Sequence, residues 1–439
     1  MGQGGSNEWA RPFIVERLSW NDIPLGRIDT PGGALTLTLG VGSGLAVRAD
    51  GPPGVVWAIG DRGPNLKVAV AIDRYGLTGL ASLQAVVGAR IMPRPDIGPA
   101  ICQLHIDGDA VRLVKTLPLL DGQDRPISGL PIPSNEMVEI EPAYGLDGAP
   151  LGTDASGADT ESIVALKDGT FWIGDEYGPS LLKVASDGSV IRRWAPEGLE
   201  AAMAGAGYPV EGVMPRIAAR RRLNRGFEAL ALSPDERWLY VAFQSALAHP
   251  GEAAHPRGHA SRIWKLDAQT GEVVAQFFYR FDSPESFVRD RPGAGWSDLK
   301  LCEAVALGLD RLLVLERISR TAKLYVVELS SDRATPSLHL KADTRPTLEQ
   351  MDATDLKAAS VRFLSKRLIF TTDDALEIGP DLEGMAVLSP SELLLVNDND
   401  FGVDGAQTSF WRIRFAAPVF GPADLAFETD TIAAGKPFE

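Results

Sequence analysis

The sequence predicts an all-β fold, a single-domain β-propeller of four-stranded antiparallel blades, on three observations. Four stretches repeat one short phrase: ADTESIVAL, GFEALALSP, LCEAVALGL and DLEGMAVLS. Each puts a glutamate (Glu161, Glu228, Glu303, Glu383) immediately before an alternating apolar run. These glutamates stand 67, 75 and 80 residues apart, and a feature returning at near-constant spacing marks a repeat architecture. After each start comes a tight turn and a second strand of period-two alternation, while helical periodicity is scarce.

The elements follow in order. A fifth, degenerate start, GVGSGLAV, has Ser43 where the glutamate would fall. The second strands read VVWAIGDRGP, TFWIGDEYGP, WLYVAFQSAL, RLLVLERIS and ELLLVNDNDFG, reached through turns such as RADGPPG, KDG and SPDER. Third and fourth strands are expected as hairpins in ICQLHIDGDAVRLVKTL, LLKVASDGSVIRRW, RIWKLDAQTGEVVAQFFY and KLYVVELSSDRATPSL. Five blades are counted, and the 118 residues between Ser43 and Glu161 are long enough for a sixth. FIVERL near the N-terminus, or the end of the chain, is placed to complete the last blade and close the ring. One domain is expected over residues 1–439, with a repeat core of about 40–415, Pro/Gly-rich insertions at 90–99 and 121–157, and short connecting helices at 199–206 and 348–359.

Composition narrows the partners. A net charge of −15 repels nucleic acid and anionic membranes and suits small ligands or cations. No apolar run approaches the roughly 20 residues of a membrane span. The opening MGQGGSNEWARPF has no apolar signal-peptide core, and its formal fit to a myristoylation pattern is read as chance or an expression scar. Cys102 and Cys302 form no CxxC motif, and a buried free thiol is expected at Cys302, with a single disulfide left open. Oligomeric state has no signal in the sequence.

Propeller geometry converts the repeat into a site. The innermost strand of each blade lines the central channel, and the next strand runs back beside it. The start of the first strand and the end of the second therefore share one face. That face is expected to gather Glu161, Glu228, Glu303 and Glu383, ringed by Asp61, Asp175, Glu176, Gln244, Glu316, Asn397, Asp398 and Asp400. Converging carboxylates cannot all ionise without a cation or shared protons. Oxygen ligands select a hard ion, Ca²⁺ first and then Mg²⁺ or Mn²⁺. The same glutamates fit a second role, capping backbone amides at the start of each blade. Arg62, Arg225 and Arg317 lie beside the acids and suit an oxyanion, or else pair with those acids structurally. His249, His255 and His259 fall in a loop, His105 and His339 in outer-strand contexts, and the run 220–222 reads as a solvated loop.

The phrases DTESIVALKDGTFWIGDEYGP, NRGFEALALSPDERWLYVAFQSAL, LLVLER and DLEGMAVLSPSELLLVNDNDFG resemble the bacterial phytase-like family, "esterase-like activity of phytase". The resemblance spans about residues 40–415 and implies an exported propeller, periplasmic or secreted, hydrolysing ester or phosphoester bonds. A DA-DDPA phrase, typical of calcium-dependent propeller phytases, is absent.

The expected activity is metal-dependent hydrolysis of phosphomonoesters or carboxylic esters at the channel mouth, with a small anionic or ester substrate. Glu161, Glu228, Glu303 and Glu383, helped by Asp398 or Asp400, would hold the metal, and Asp175 or Glu176 would be the general base. Arg62, Arg225 and Arg317 would hold the substrate anion. The alternatives are a non-catalytic metal- or ligand-binding propeller, serving as sensor or scaffold, and a gluconolactonase-like lactonase.

Overall fold

Five inner strands pack around a common axis: Gly44–Ala46, Thr160–Ala165, Phe227–Leu232, Lys300–Gly308 and Leu382–Ser389. Each touches the next, and the last touches the first, so the ring closes at five blades. This computed structural model describes residues 12–420, and the MGQGGS start lies outside them. Blade 1 runs outward through Val55–Ile59, Ala100–Asp107 and Ala110–Pro118. Blade 2 continues with Phe171–Asp175, Ser180–Val184 and Val190–Pro196, and adds a parallel fifth strand, Val210–Met214. Blade 3 uses Trp238–Phe243, Ala260–Asp267 and Val273–Arg280.

In blade 4 the fourth strand is not the expected SSDRATPSL. That stretch contains Pro336, which has no N–H for a ladder, and it makes single 3-10 turns at Ser331–Arg333 and Ser337–Leu340. The outer strand is instead Lys366–Thr371, paired with Ala322–Glu328. Blade 5 supplies three strands from the C-terminal side, Leu382–Ser389, Glu392–Asn397 and Phe410–Phe415. Its outer strand is FIVERL, Phe13–Leu18, which pairs antiparallel with Phe410–Phe415 from Phe13↔Phe415 to Leu18↔Phe410.

The core is divided among the five gaps between blades. Tyr240 and Phe277 of blade 3, for example, meet Leu312 and Val314 of blade 4, and Trp172 and Trp194 of blade 2 meet Phe243 and Trp264 of blade 3. Period-two strands bury one face against each neighbouring blade, which is why the inner and second strands carry almost continuous apolar runs. Both cysteines are buried and free. No helix among the described residues is long and apolar enough to cross a membrane.

The stretches expected as insertions build a lobe over one mouth of the channel. Leu66–Lys67, Arg90–Ile91, Ala143–Tyr144 and Pro150–Gly152 form a small sheet beside the helix Val68–Asp73. Together with the hairpin Pro24–Thr30/Gly33–Thr38 they bury their own apolar cluster of Leu35, Leu37, Tyr75, Leu80 and Ile91. Of the two expected helices, residues 348–359 supply Ala353–Ala358, capped by Asp352, whereas 199–206 is a chain of turns.

Ring closure depends on the N-terminal strand. Deleting residues 12–18 leaves Phe410–Phe415 as an unpaired, largely apolar edge. The expected outcome is loss of the cooperative thermal transition or aggregation by size-exclusion chromatography; a deletion variant melting like the full chain would refute the closure.

Candidate functional site

At the start of three inner strands the ladder skips one residue. The skipped residues are Glu161 (Thr160↔Asp175, then Ser162↔Gly174), Glu228 (Phe227↔Phe243, then Ala229↔Ala242) and Glu383 (Leu382↔Asn397, then Gly384↔Val396). Such a bulge re-aims one side chain out of the alternating pattern. All three carboxylates line one cavity of about 330 Å³ at the mouth beneath the lobe.

Blade 4 departs from this. Its skipped residue is Cys302 (Leu301↔Glu316, then Glu303↔Leu315), so Glu303 sits one position further along the strand. A one-residue shift changes where a strand side chain points. Glu303 is absent from the cavity wall; its Oε2 accepts from the Leu45 amide (3.1 Å) and its Oε1 from the Ala304 amide (3.0 Å). The expectation that it joins the other three glutamates is thereby corrected: it caps backbone across the channel. Beyond it the opposite end of the channel is a mainly apolar pocket of about 290 Å³, lined by Leu45, Ile163, Leu230, Val305 and Val387 among others.

Blade 1 brings no carboxylate from its inner strand. A Cβ on Gly42 would lie 2.2 Å from the Asn397 carbonyl oxygen, so the close approach of blade 5 admits only glycine there. Asp61, at the end of the second strand, faces the cavity instead.

The cavity wall carries nine carboxylates and five cationic side chains. Ligand atoms cluster within 4.8 Å of one another in three acidic groups: Asp61, Asp398 and Asp400; Asp159, Glu161 and Glu176; and Glu228, Glu383 and the thiol of Cys302. Two groups contain built-in guanidinium. Arg62 pairs with Asp159 (2.6 Å) and Glu141 (2.5 Å), stacks on Tyr177 and donates to Asn224. Arg317 pairs with Glu383 and with Asp381 (3.1 Å) and directs its Nε to Cys302 Sγ (3.1 Å). Among the described residues Glu161, Glu228, Asp61, Asp398 and Asp400 make no ion pair.

Burial, then neighbouring carboxylates, push the Glu161, Glu228 and Asp398 carboxyls well above their usual range. Asp61 and Asp400 rise for the same causes. Burial chiefly, with Asp159 next, raises Glu176 to about 7, and burial raises Asp159 to about 6. Three buried oxygens facing this space have no hydrogen-bond partner: Glu228 Oε2, Gln244 Oε1 and Asp398 Oδ1. Gln244 Nε2 meanwhile donates to the other Glu228 oxygen.

The remaining expected residues divide. Glu176 reaches the cavity, its Oε1 accepting from the Gly226 amide (3.1 Å). Asp175 does not: it is 0 % exposed, ion-paired to Arg193 (2.5 Å), and bound by the Ser180 hydroxyl (2.7 Å) and the Asp159 amide (2.8 Å). Arg225 turns away to the carbonyls of Ser297 (3.2 Å) and Leu299 (3.4 Å). Glu316, expected on the rim, is held by Lys366 (2.6 Å) and the Tyr279 hydroxyl (2.5 Å) between blades. Asn397 and Asn399 fix their turn by backbone hydrogen bonds, leaving Asp398 and Asp400 for the cavity. Arg221 is not solvated; it is buried and donates to the carbonyls of Glu176 (3.1 Å) and Glu139 (3.1 Å). His255 is buried against Ser245 (2.9 Å) and lies outside the cavity wall, as do the other histidines.

Sequence reasoning missed Asp159, Cys302, Lys67, Arg90 and Lys300 as wall or neighbouring residues. Asp159 had a legible signal, two residues before Glu161 in the repeated phrase. The lobe residues Lys67 and Arg90 had none, because they belong to no repeat.

The chain belongs to the phytase-like family: the family model described as "Esterase-like activity of phytase" matches residues 38–401. An "Uncharacterized secreted protein" of the fungus Arthroderma benhamiae is 29 % identical over 268 residues, which is 53 % of this chain and 49 % of that protein. The chain thus spans about half the length of this curated relative. Among solved structures, a luciferin-regenerating enzyme is similar at 10 % identity and a TM-score of 0.34, covering 93 % of this chain and 97 % of that one. A calcium-binding regucalcin from Agrobacterium tumefaciens is similar at 12 % identity and a TM-score of 0.32, covering 90 % and 97 %. A gluconolactonase from Xanthomonas campestris is similar at 11 % and 0.29, covering 72 % and 82 %.

Glu303→Leu removes the acceptor of the Leu45 and Ala304 amides and costs about 2–4 kcal/mol, whereas Glu303→Gln keeps one acceptor and costs less; denaturant unfolding checks the order. In the cation-free protein the folded values of Glu176 and Asp159 lie above those of an unfolded chain. Both groups therefore favour folding while protonated, fully below about pH 4, and that contribution is lost as pH rises through the folded values of about 6 and about 7. Melting temperature in EDTA should fall across this window, and a flat profile would contradict the assignment.

Proposed function

We propose that the protein is a metal-dependent hydrolase of phosphomonoesters or carboxylic esters working in the acidic cavity. The observation that carries this reading is a set of carboxylates that make no ion pair among the described residues, from buried Glu161 and Glu228 to half-buried Asp398 and exposed Asp400, two of which, Glu228 and Asp398, hold an oxygen with no partner. Such oxygens are costly to bury unless something positive or a donor meets them. Glu161, Glu228, Asp398 and Asp400, joined by Asp61, are the candidate ligands, and Gln244 adds a neutral oxygen. Glu383 contributes less, because Arg317 already neutralises it.

An all-oxygen set of this kind suits Ca²⁺, with Mg²⁺ or Mn²⁺ as alternatives. A bound ion would polarise the scissile group and acidify a water. Glu176, raised to about 7, is matched to take a proton from that water near neutral pH. Its carboxylate is oriented by the Gly226 amide, and Arg221 pins the carbonyls of the same turn. Asp175 is not the base in this reading, since every contact it makes is structural. The family's description as esterase-like and the secreted character of the fungal relative support an exported hydrolase, periplasmic or secreted.

The test pairs metal analysis with kinetics. Protein purified without chelator should hold near-stoichiometric calcium, and EDTA should lower its melting temperature and abolish hydrolysis of aryl phosphates or aryl esters. Glu176→Gln should cut kcat by about 10²–10⁴-fold with calcium content unchanged. Calcium-loaded protein inert toward aryl phosphates, aryl esters and lactones alike would leave a non-catalytic cation-binding propeller.

A further inference from the structure

The five cations on the cavity wall are not equivalent. Arg62, Arg90 and Arg317 are committed: Arg62 to Glu141, Asp159 and Asn224, Arg90 to Glu141 (2.9 Å), and Arg317 to Glu383, Asp381 and Cys302. The side chains of Lys67 and Lys300 make neither a hydrogen bond nor an ion pair among the described residues, although the Lys300 charge is felt at Glu228. They come from opposite sources. Lys67 ends the lobe strand Leu66–Lys67 and is exposed, while Lys300 opens the inner strand of blade 4, half-buried and cross-strand from Arg317. Both reach the same space of about 330 Å³.

We propose that Lys67 and Lys300, not the arginines, hold the anionic group of the substrate, an oxyanion that enters between the lobe and blade 4. This deepens the hydrolase reading and rests on it for the identity of the cavity as a substrate site. In a wall this rich in carboxylate an anion needs positive charge that is not already ion-paired, and each of the three guanidinium groups is held by at least one carboxylate, the single orphaned Arg62 Nε being buried. An ammonium on a flexible stem also follows a group whose shape changes during reaction. The site thus separates two tasks: the arginines fix the acidic scaffold, and the lysines meet the ligand.

Titration calorimetry on the calcium-loaded full chain tests this directly, with orthophosphate below calcium phosphate saturation and, separately, acetate as probes. Lys300→Gln and Lys67→Gln should each weaken binding by about tenfold or more, and Lys300→Arg should restore much of the loss. Lys67 is exposed, so its variant reports binding without threatening the fold. Lysine-dependent orthophosphate binding alone supports the proposal for phosphomonoesters, and lysine-dependent acetate binding alone supports it for carboxylates. Binding of either probe that both glutamine variants leave intact, or no binding by the wild-type chain, overturns it. Lysine-dependent binding in a protein that hydrolyses nothing would keep this inference and remove the hydrolase reading.

Discussion

Five inner strands around one axis have nowhere to send the side chains at their starts except into a shared space a few water molecules wide. That constraint organises the rest of the molecule. Glu161, Glu228 and Glu383 enter the space because a bulge at the head of each strand breaks the alternation that would otherwise bury or expose them. Once there, like charges must be neutralised, protonated or bridged, and each solution leaves its mark on the surrounding residues.

Much of the charge compensation is built into the wall. Arg62 ties blade 1 to Asp159 of blade 2 and to Glu141 of the lobe, and Arg317 ties blade 4 to Glu383 and Asp381 of blade 5. Behind them Arg193 holds Asp175, and Arg221 holds the carbonyls beside Glu176. Breaking one partner of such buried pairs leaves an uncompensated charge, so they act as rivets, between blades for Arg62 and Arg317 and within blade 2 for Arg193, more than as binding groups. What they leave unpaired, chiefly Glu161, Glu228, Asp61 and Asp398, defines where a cation fits.

The two ends of the channel differ in kind. The mouth under the lobe is acidic, and the far end is lined by aliphatic side chains from all five inner strands. Glu303 stands between them with its carboxylate taken up by backbone amides from blades 1 and 4. On the acidic side Asp400 and Phe401 both adopt positive φ (46° and 53°) before Gly402. Phe401 is accommodated because Gly40 has no Cβ; one there would meet its ring at 2.6 Å. That turn brings Asp400 to the cavity, in keeping with the concentration of strained backbone at functional sites.

The sequence alone determined the propeller, its repeated starts and the gathering of Glu161, Glu228, Glu383, Asp398 and Asp400 on one face, while it left closure to FIVERL or the end of the chain and the blade number at five or six. These are consequences of periodicity, and periodicity is written in local order along the chain. Which residue falls on a bulge is not, because the apolar run after Cys302 and Glu303 reads the same in either register. Nor does adjacency in sequence reveal the partner of a charge: Asp175 and Glu176 are neighbours, yet one faces Arg193 in the core and the other the cavity. Arg225, next to the repeated phrase, turns to backbone carbonyls, while Lys67 and Arg90 arrive from a lobe outside the repeat. Only the tertiary structure decided these, since alternation chooses a face whereas charge pairing depends on which distant strand the fold brings within about 3 Å.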